Sequence, residues 1–221
     1  GAAAVAALVA EHAPGAPAWG GEVAAANNGG QLGITDTFAD GFWYLDQLGA
    51  LARVGIRVFQ RQSLVGSGYP MVRQTAAGVF TPLPDYWVAV LHKLLVGQEV
   101  LQVSSSSPHL RAYAHCARGH AGADGGGVVV LYVNLGEEVT LSLPAELGGE
   151  REEWRLTAGA PLPGAGDRLL SREAVLNGRQ RLELDPAAAL PPLAGEPALG
   201  HSARLPRESY GFLRFPAARA P

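Results

Sequence analysis

The chain has 221 residues, of which 48% are hydrophobic and 17% charged, with a net charge of −3. That length and balance suit one or two globular domains with a sizeable core and exclude a disordered chain. The small negative charge gives no electrostatic basis for binding nucleic acid, the single cysteine, Cys116, excludes an internal disulfide, and no apolar run approaches the ~20 residues of a membrane-spanning helix.

Taken in chain order, the Ala-rich stretch Ala2 to His12 predicts a helix with Val5, Leu8 and Val9 on one side, stopped by Ala13-Pro14-Gly15. It lacks the basic leader of a signal peptide. Ala16 to Glu22 then reads as a short buried strand. It ends on a carboxylate and opens into a loop of small residues, Val23 to Gly30. A second helix is expected from a Thr35 or Asp36 cap, with Phe38, Phe42, Leu45, Leu48 and Ala52 at helical spacing and Gly55 as its stop. Ile56 to Arg61 is the next strand. Gln62 to Phe80, punctuated by Gly66, Gly68, Pro70 and Gly78, reads as a long loop. A third helix follows from Pro84 to Val96.

After Gly97 the pattern changes to short strands separated by turn residues. They are expected at Glu99 to Val103, Leu110 to His115, Gly127 to Asn134, Val139 to Leu143, Glu153 to Leu156, Arg179 to Leu184 and Tyr210 to Phe215. Leu190 to Pro197 reads as a Pro-rich connection. The expected class is therefore α/β followed by all-β. Residues 1–96 are the closing repeats of a (β/α)₈ barrel and residues 97–221 a β-sandwich. In a barrel of that kind a carboxylate at the C-terminal tip of a strand, here Glu22, stands where the chemistry is placed.

Several ordered blocks carry a resemblance. They are Trp19-Gly20-Gly21-Glu22 with Asn28-Gly29-Gly30, then Asp36-Thr37-Phe38, Gly41-Phe42-Trp43-Tyr44-Leu45-Asp46-Gln47-Leu48-Gly49 and Arg61-Gln62. They continue in Gly66-Ser67-Gly68-Tyr69, Pro82-Leu83-Pro84-Asp85-Tyr86-Trp87, Leu110 to Cys116 and Val175 to Gly178. Together they resemble the heparanase-like family, glycoside hydrolase family 79, and its plant branch more than its animal one.

That resemblance implies a barrel with a C-terminal β-sandwich and retaining hydrolysis of β-glucuronides. Glu22 matches the family's nucleophile. Asn28, Gly29 and Gly30 match the loop whose amides hold the sugar carboxylate, and Tyr69 matches a tyrosine that contacts the same group. Gln62 and Gly68 match positions lining the next subsite. No cofactor is implied. The implied partners are glucuronic-acid-containing polysaccharides or proteoglycan glycans, with membrane or cell-wall association, in an extracellular, lysosomal or vacuolar setting.

The chain also departs from the family pattern. Asn27 stands where the family usually has Tyr, and no Asn-Glu pair supplies the acid/base carboxyl that retention requires. The resemblance also implies a partner cysteine for Cys116 near the C-terminus, where this chain has none. The expectation is a C-terminal part of such an enzyme, inactive alone, whose missing N-terminal half carries the acid. The rival reading is a catalytically inert glycan-binding or interaction protein. His115, Cys116 and His120 lack a fourth ligand spaced for zinc, so no metal is expected. Trp43, Tyr44, Tyr86 and Trp87 are weighed as sugar platforms and favoured as core.

Overall fold

The computed structural model describes residues 1–119, 124–185, 187 and 189–218. The first part runs α1 (Ala2–His12), β1 (Ala18–Val23), α2 (Phe38–Arg53), β2 (Ile56–Arg61), β3 (Val72–Gln74), β4 (Phe80–Pro82) and α3 (Pro84–Leu95). β1 and β2 pair in parallel, the arrangement that needs a crossover helix, and α2 provides it. β3 and β4 form a small antiparallel hairpin that begins inside the stretch Gln62 to Phe80, expected to be a loop, and ends just beyond it. Three-residue strands carry too little alternation to be seen in sequence.

α1 has the expected ends but turns a different side inward. Ala2, Ala6 and Val9 are half-buried, while Val5 and Leu8 remain exposed. α2 buries Phe38, Phe42 and Leu45 as its spacing requires. Its N-cap is Thr37 rather than the expected Thr35 or Asp36, and Thr37 makes no side-chain cap. The first amides are satisfied from far along the chain instead: Phe38 N donates to Ser171 O at 2.6 Å and Ala39 N to Leu169 O at 3.1 Å. Asp36, just before the helix, accepts from Gly33 N at 2.5 Å and pairs with Arg172 at 2.6 Å.

The second part contributes β5 (Val96–Leu101), β6 (Leu110–Arg118), β7 (Asp124–Asn134), β8 (Val139–Ser142), β9 (Arg151–Ala158), β10 (Ala174–Leu176), β11 (Gln180–Arg181), β12 (Glu196–Ala198), β13 (Ser202–Leu205) and β14 (Ser209–Phe215). Among the described residues one eight-stranded sheet runs β11-β10-β9-β14-β7-β6-β5, with β12 also on β9. β8 and β13 form a separate pair. β10, β12 and β13 are strands that the sequence reading missed, and β12 falls partly within its Pro-rich connection. Pro197 cannot donate to a ladder and so hides a strand, yet it is tolerated here because β12 pairs only with β9.

The large sheet is buried on both faces. Along β7, Val129, Leu131 and Val133 point to one side with Tyr113, Trp154, Tyr210 and Phe212, and pack on Phe38, Phe42, Leu45, Trp87 and Leu91 of α2 and α3. Val128, Val130 and Tyr132 point to the other side and pack on Leu143, Ala203 and Leu205 around the β8–β13 pair. Trp87 and Tyr44 are core, and Trp43 and Tyr86 pack against it half-buried. α2 lies so close to the sheet that a Cβ at Gly41 would overlap the Tyr210 ring, and one at Gly49 the Tyr113 ring. No helix among the described residues is long and apolar enough to cross a membrane.

Candidate active site

The parallel pair places the site. Its ladder matches Gly20 to Phe59 and Val23 to Arg61, with an irregularity between Gly20 and Val23. Glu22 sits in that irregular step, where the strand is released from regular pairing and a side chain can be re-aimed. Gln62 N donates to Val23 O at 3.0 Å and ties the two strand ends together. Beyond them opens a pocket of about 240 Å³ lined by Glu22, Val23, Ala24, Ala26, Asn27, Asn28, Gln62 and Tyr69. Glu22 is exposed and forms no ion pair among the described residues.

The glycine loop forms one wall. Asn28, Gly29 and Gly30 have φ of 58°, 88° and 81°. Successive left-handed residues turn amides out of the chain's own ladder, and two of the three pay no Cβ penalty for it. The Asn28 and Gly29 amides donate to no acceptor among the described residues. The wall is braced from behind by the loop after β2. Gly68 N donates to Gly29 O at 2.5 Å, and Thr35 Oγ1 donates to Gly68 O at 2.6 Å. A Cβ on Gly68 would lie 2.8 Å from Gly29 O. Tyr69 is buried, with its ring against Gly30.

The structure thus brings Glu22, Asn28, Gln62 and Tyr69 to one pocket, while Gly29, Gly30 and Gly68 hold its wall without lining it. Asn27, where the family usually has Tyr, does line it. No second carboxyl group is among the lining residues. Behind the pocket lies a group whose pairing the sequence did not signal, although Arg61 and Asp85 stand in family-like blocks: Arg61, with Asp40 and Asp85 on its guanidinium and a carboxyl-to-nitrogen distance of 2.8 Å and 2.7 Å respectively. These residues are 21 and 24 positions from Arg61, so only the packing of α2 and α3 on β2 assembles them.

Elsewhere, His115 is buried on β6 with its ring 6.4 Å from that of His92 on α3. Burial and the neighbouring His115 push the His92 imidazole down to about 4. Cys116 Sγ lies 4.0 Å from Glu99 Oε2. No group of three His, Cys, Asp or Glu side chains able to hold a metal ion exists among the described residues, and His120 lies outside them.

Comparison with known proteins gives a consistent picture. The sequence model for "Glycosyl hydrolase family 79, N-terminal domain" matches residues 2–49. Heparanase from Gallus gallus is 38% identical over 221 residues, covering 96% of this chain and 40% of that protein. Heparanase-like protein 1 from Arabidopsis thaliana is 42% identical over 139 residues, covering 62% of this chain and 24% of its own length. Baicalin-beta-D-glucuronidase from Scutellaria baicalensis is 38% identical over 182 residues, covering 80% and 32%. The chain therefore spans less than half the length of each of these relatives. Among solved structures, a 4-O-alpha-L-rhamnosyl-beta-D-glucuronidase from Fusarium oxysporum superposes with a TM-score of 0.68 at 18% identity, over 97% of this chain and 48% of that one. A GH51 arabinofuranosidase from Xanthomonas axonopodis superposes at 0.52 and 15% identity, over 96% and 45%. The mixed α/β fold is thus shared with parts of glycoside hydrolases.

Proposed function

Because this chain belongs to glycoside hydrolase family 79, we propose that it forms part of a retaining β-glucuronidase-type hydrolase, with Glu22 as the nucleophile. The observation that carries this reading is Glu22 itself: an exposed carboxylate at the end of a parallel strand, opening on a polar pocket with Asn28, Gln62 and Tyr69. Ionised, it would attack the anomeric carbon as the glycosidic bond breaks and the leaving oxygen takes a proton from a second carboxyl, giving a glycosyl-enzyme that water, deprotonated by that same carboxyl, then hydrolyses. The amides of Asn28 and Gly29, with Tyr69, would clasp the sugar carboxylate, and Gln62 with Gly68 would shape the neighbouring subsite.

Within the same reading, β1, α2, β2 and α3 are closing repeats of a (β/α)₈ barrel, residues 97–221 are a β-sandwich, and the protein works on glucuronic-acid-containing glycans outside the cytosol. Retention needs a second carboxyl about 5 Å from the nucleophile. None lines the pocket, so the acid/base group belongs to a part of the relatives' length that this chain does not span.

That same gap favours the second reading, a glycan-binding protein without turnover. One experiment separates them. The protein containing this chain is treated with a glucuronide-based mechanism inhibitor and digested for mass spectrometry. A label on Glu22 establishes the nucleophile; binding without any label supports the inert reading, and a label on another carboxylate overturns the assignment.

A further inference from the structure

Arg61 is the last residue of β2, and its side chain is 3% exposed. Nη2 lies 2.8 Å from Asp40 Oδ2 and 2.7 Å from Asp85 Oδ2, and Nε lies 3.2 Å from Asp85 Oδ2. Nη1 donates to the carbonyl of Gln62. Three rings enclose the guanidinium, with centroids 5.4 Å away for Trp43, 5.5 Å for Tyr44 and 5.6 Å for Tyr69. Two of these neighbours, Gln62 and Tyr69, line the pocket.

We propose that Arg61, clamped between Asp40 and Asp85, is a positioning residue of the pocket that fixes Gln62 and Tyr69 where a sugar meets them. This rests on the reading of the pocket as a sugar site. A guanidinium suits the task because it is planar, always charged and forked. It can stack on the Tyr69 ring and bond the Gln62 carbonyl in one fixed geometry, which an ammonium cannot do. A cation so deeply buried needs full pairing. The two carboxyl groups supply it from α2 and α3, so the pocket wall is held by both helices at once.

The clamp holds one carboxyl group more than charge balance requires. Asp40 Oδ2 and Asp85 Oδ2 converge on a single nitrogen, with all three side chains buried. Burial first, then the Asp85 charge, pushes the Asp40 carboxyl up to about 8, and burial raises Asp85 as well. The other titratable groups that face the cluster are Tyr44 on α2, Tyr69 on the loop and Tyr210 on β14. Burial lifts Tyr44 to about 12 and Tyr210 well above its ordinary value, so these two stay neutral. Below about pH 8 the Asp40 carboxyl therefore keeps its proton beside the Arg61 guanidinium. Above it a second buried anion competes for Nη2 and loosens the grip on Gln62 and Tyr69.

The test uses the protein containing this chain, with ¹³C-labelled Asp carboxyls and labelled Tyr and Gln, and glucuronic acid as the probe. In the wild type, one Asp carboxyl should titrate near pH 8 and vanish in Asp40→Asn. Glucuronate should shift the Tyr69 ring and Gln62 amide signals at pH 6 and bind progressively less well above pH 8. Asp40→Asn should bind within about twofold of wild type at pH 6 and lose that alkaline dependence. Arg61→Lys, checked for folding by circular dichroism, should move the Tyr69 and Gln62 signals without ligand and weaken binding about tenfold. Unchanged binding and an unchanged pH profile in both variants would overturn the positioning role alone. Absence of glucuronate binding in the wild type at every pH would overturn the sugar-site reading and this proposal together, while the carboxyl titration still reports on the cluster.

Discussion

Gly68 N donates to Gly29 O at 2.5 Å, and this contact joins the two loops that flank the pocket, one after β1 and one after β2. Neither Gly68 nor the adjoining Gly30 has room for a side chain. At Gly30 a Cβ would meet the Tyr69 ring and lie 2.7 Å from Thr35 Oγ1, at a φ of +81° that L side chains rarely adopt. Gly30→Ala should therefore push Tyr69 out of the wall and weaken glucuronide binding about tenfold or more, with Gly29→Ala, which meets nothing within 4 Å, milder. Isothermal titration of both variants with a glucuronide checks the order.

A clasp made of amides and a phenol selects for charge. The protein containing this chain should prefer a β-glucuronide to the matching β-glucoside by about 100-fold in kcat/KM, since a charge-assisted set of contacts is worth a few kcal/mol. Tyr69→Phe should shrink that ratio while leaving the slower glucoside reaction nearly unchanged. Equal rates on both sugars would refute the clasp.

Helix α2 depends on two glycines against the sheet. Gly41→Ala and Gly49→Ala would each drive a methyl group into a buried tyrosine ring, Tyr210 or Tyr113. Overpacking of this kind costs about 1–3 kcal/mol, more than the up to about 1 kcal/mol that alanine gains in a helix. For a chain of this size each kcal/mol lowers Tm by about 2–4 °C. Differential scanning calorimetry should show both variants melting lower; a rise in Tm would mean that the helix lifts at little cost.

The sequence carried the regular elements well, and the reason is physical. Phe38, Phe42 and Leu45 recur with the helical period because one side of α2 meets the sheet. Val128 to Val133 are continuously apolar because β7 is buried on both faces. Glu22 stood out through its place at a strand end and its glycine tail. What stayed hidden was everything set by distant pairing. Nothing near Asp40 marks it as a partner of Arg61, and an acidic residue in a helix's first turn ordinarily reads as a solvated one. The β3–β4 hairpin and β12 were too short, or too rich in proline, to show a period.

The His92–His115 pair gives a pH dependence with a definite sign. Burial lowers the His92 value from 6.5 to about 4, so the neutral imidazole is the form that folding favours. Its contribution is fully present above about pH 6.5 and is lost as pH falls towards about 4, with a slope of at most about 1.4 kcal/mol per pH unit. His92→Gln should flatten urea-denaturation midpoints measured between pH 6.5 and 4, while an unchanged slope would place the acid sensitivity elsewhere.

A single core crosses from the helices into the sheet. Cutting the chain after Val96 would strip α2 and α3 from Tyr113, Val129, Leu131, Trp154 and Phe212. The piece 97–221 should therefore bind an apolar dye such as ANS several-fold more strongly than the whole chain, or associate in sedimentation experiments. Dye binding no greater than that of the whole chain would show that the sheet closes over its own face.

The start of α2 is finished by residues that the ribosome makes much later. Its first amides rest on the carbonyls of Leu169 and Ser171, and Asp36 rests on Arg172. Until those residues have been synthesised and folded back, the helix has no side-chain cap of its own and its first turn frays. The segment that precedes it holds the glycine wall of the pocket. The pocket is thus lined by residues made well before Leu169 to Arg172 but is among the last features to settle, so a nascent chain stalled before Arg172 would display Glu22 without a formed cleft around it.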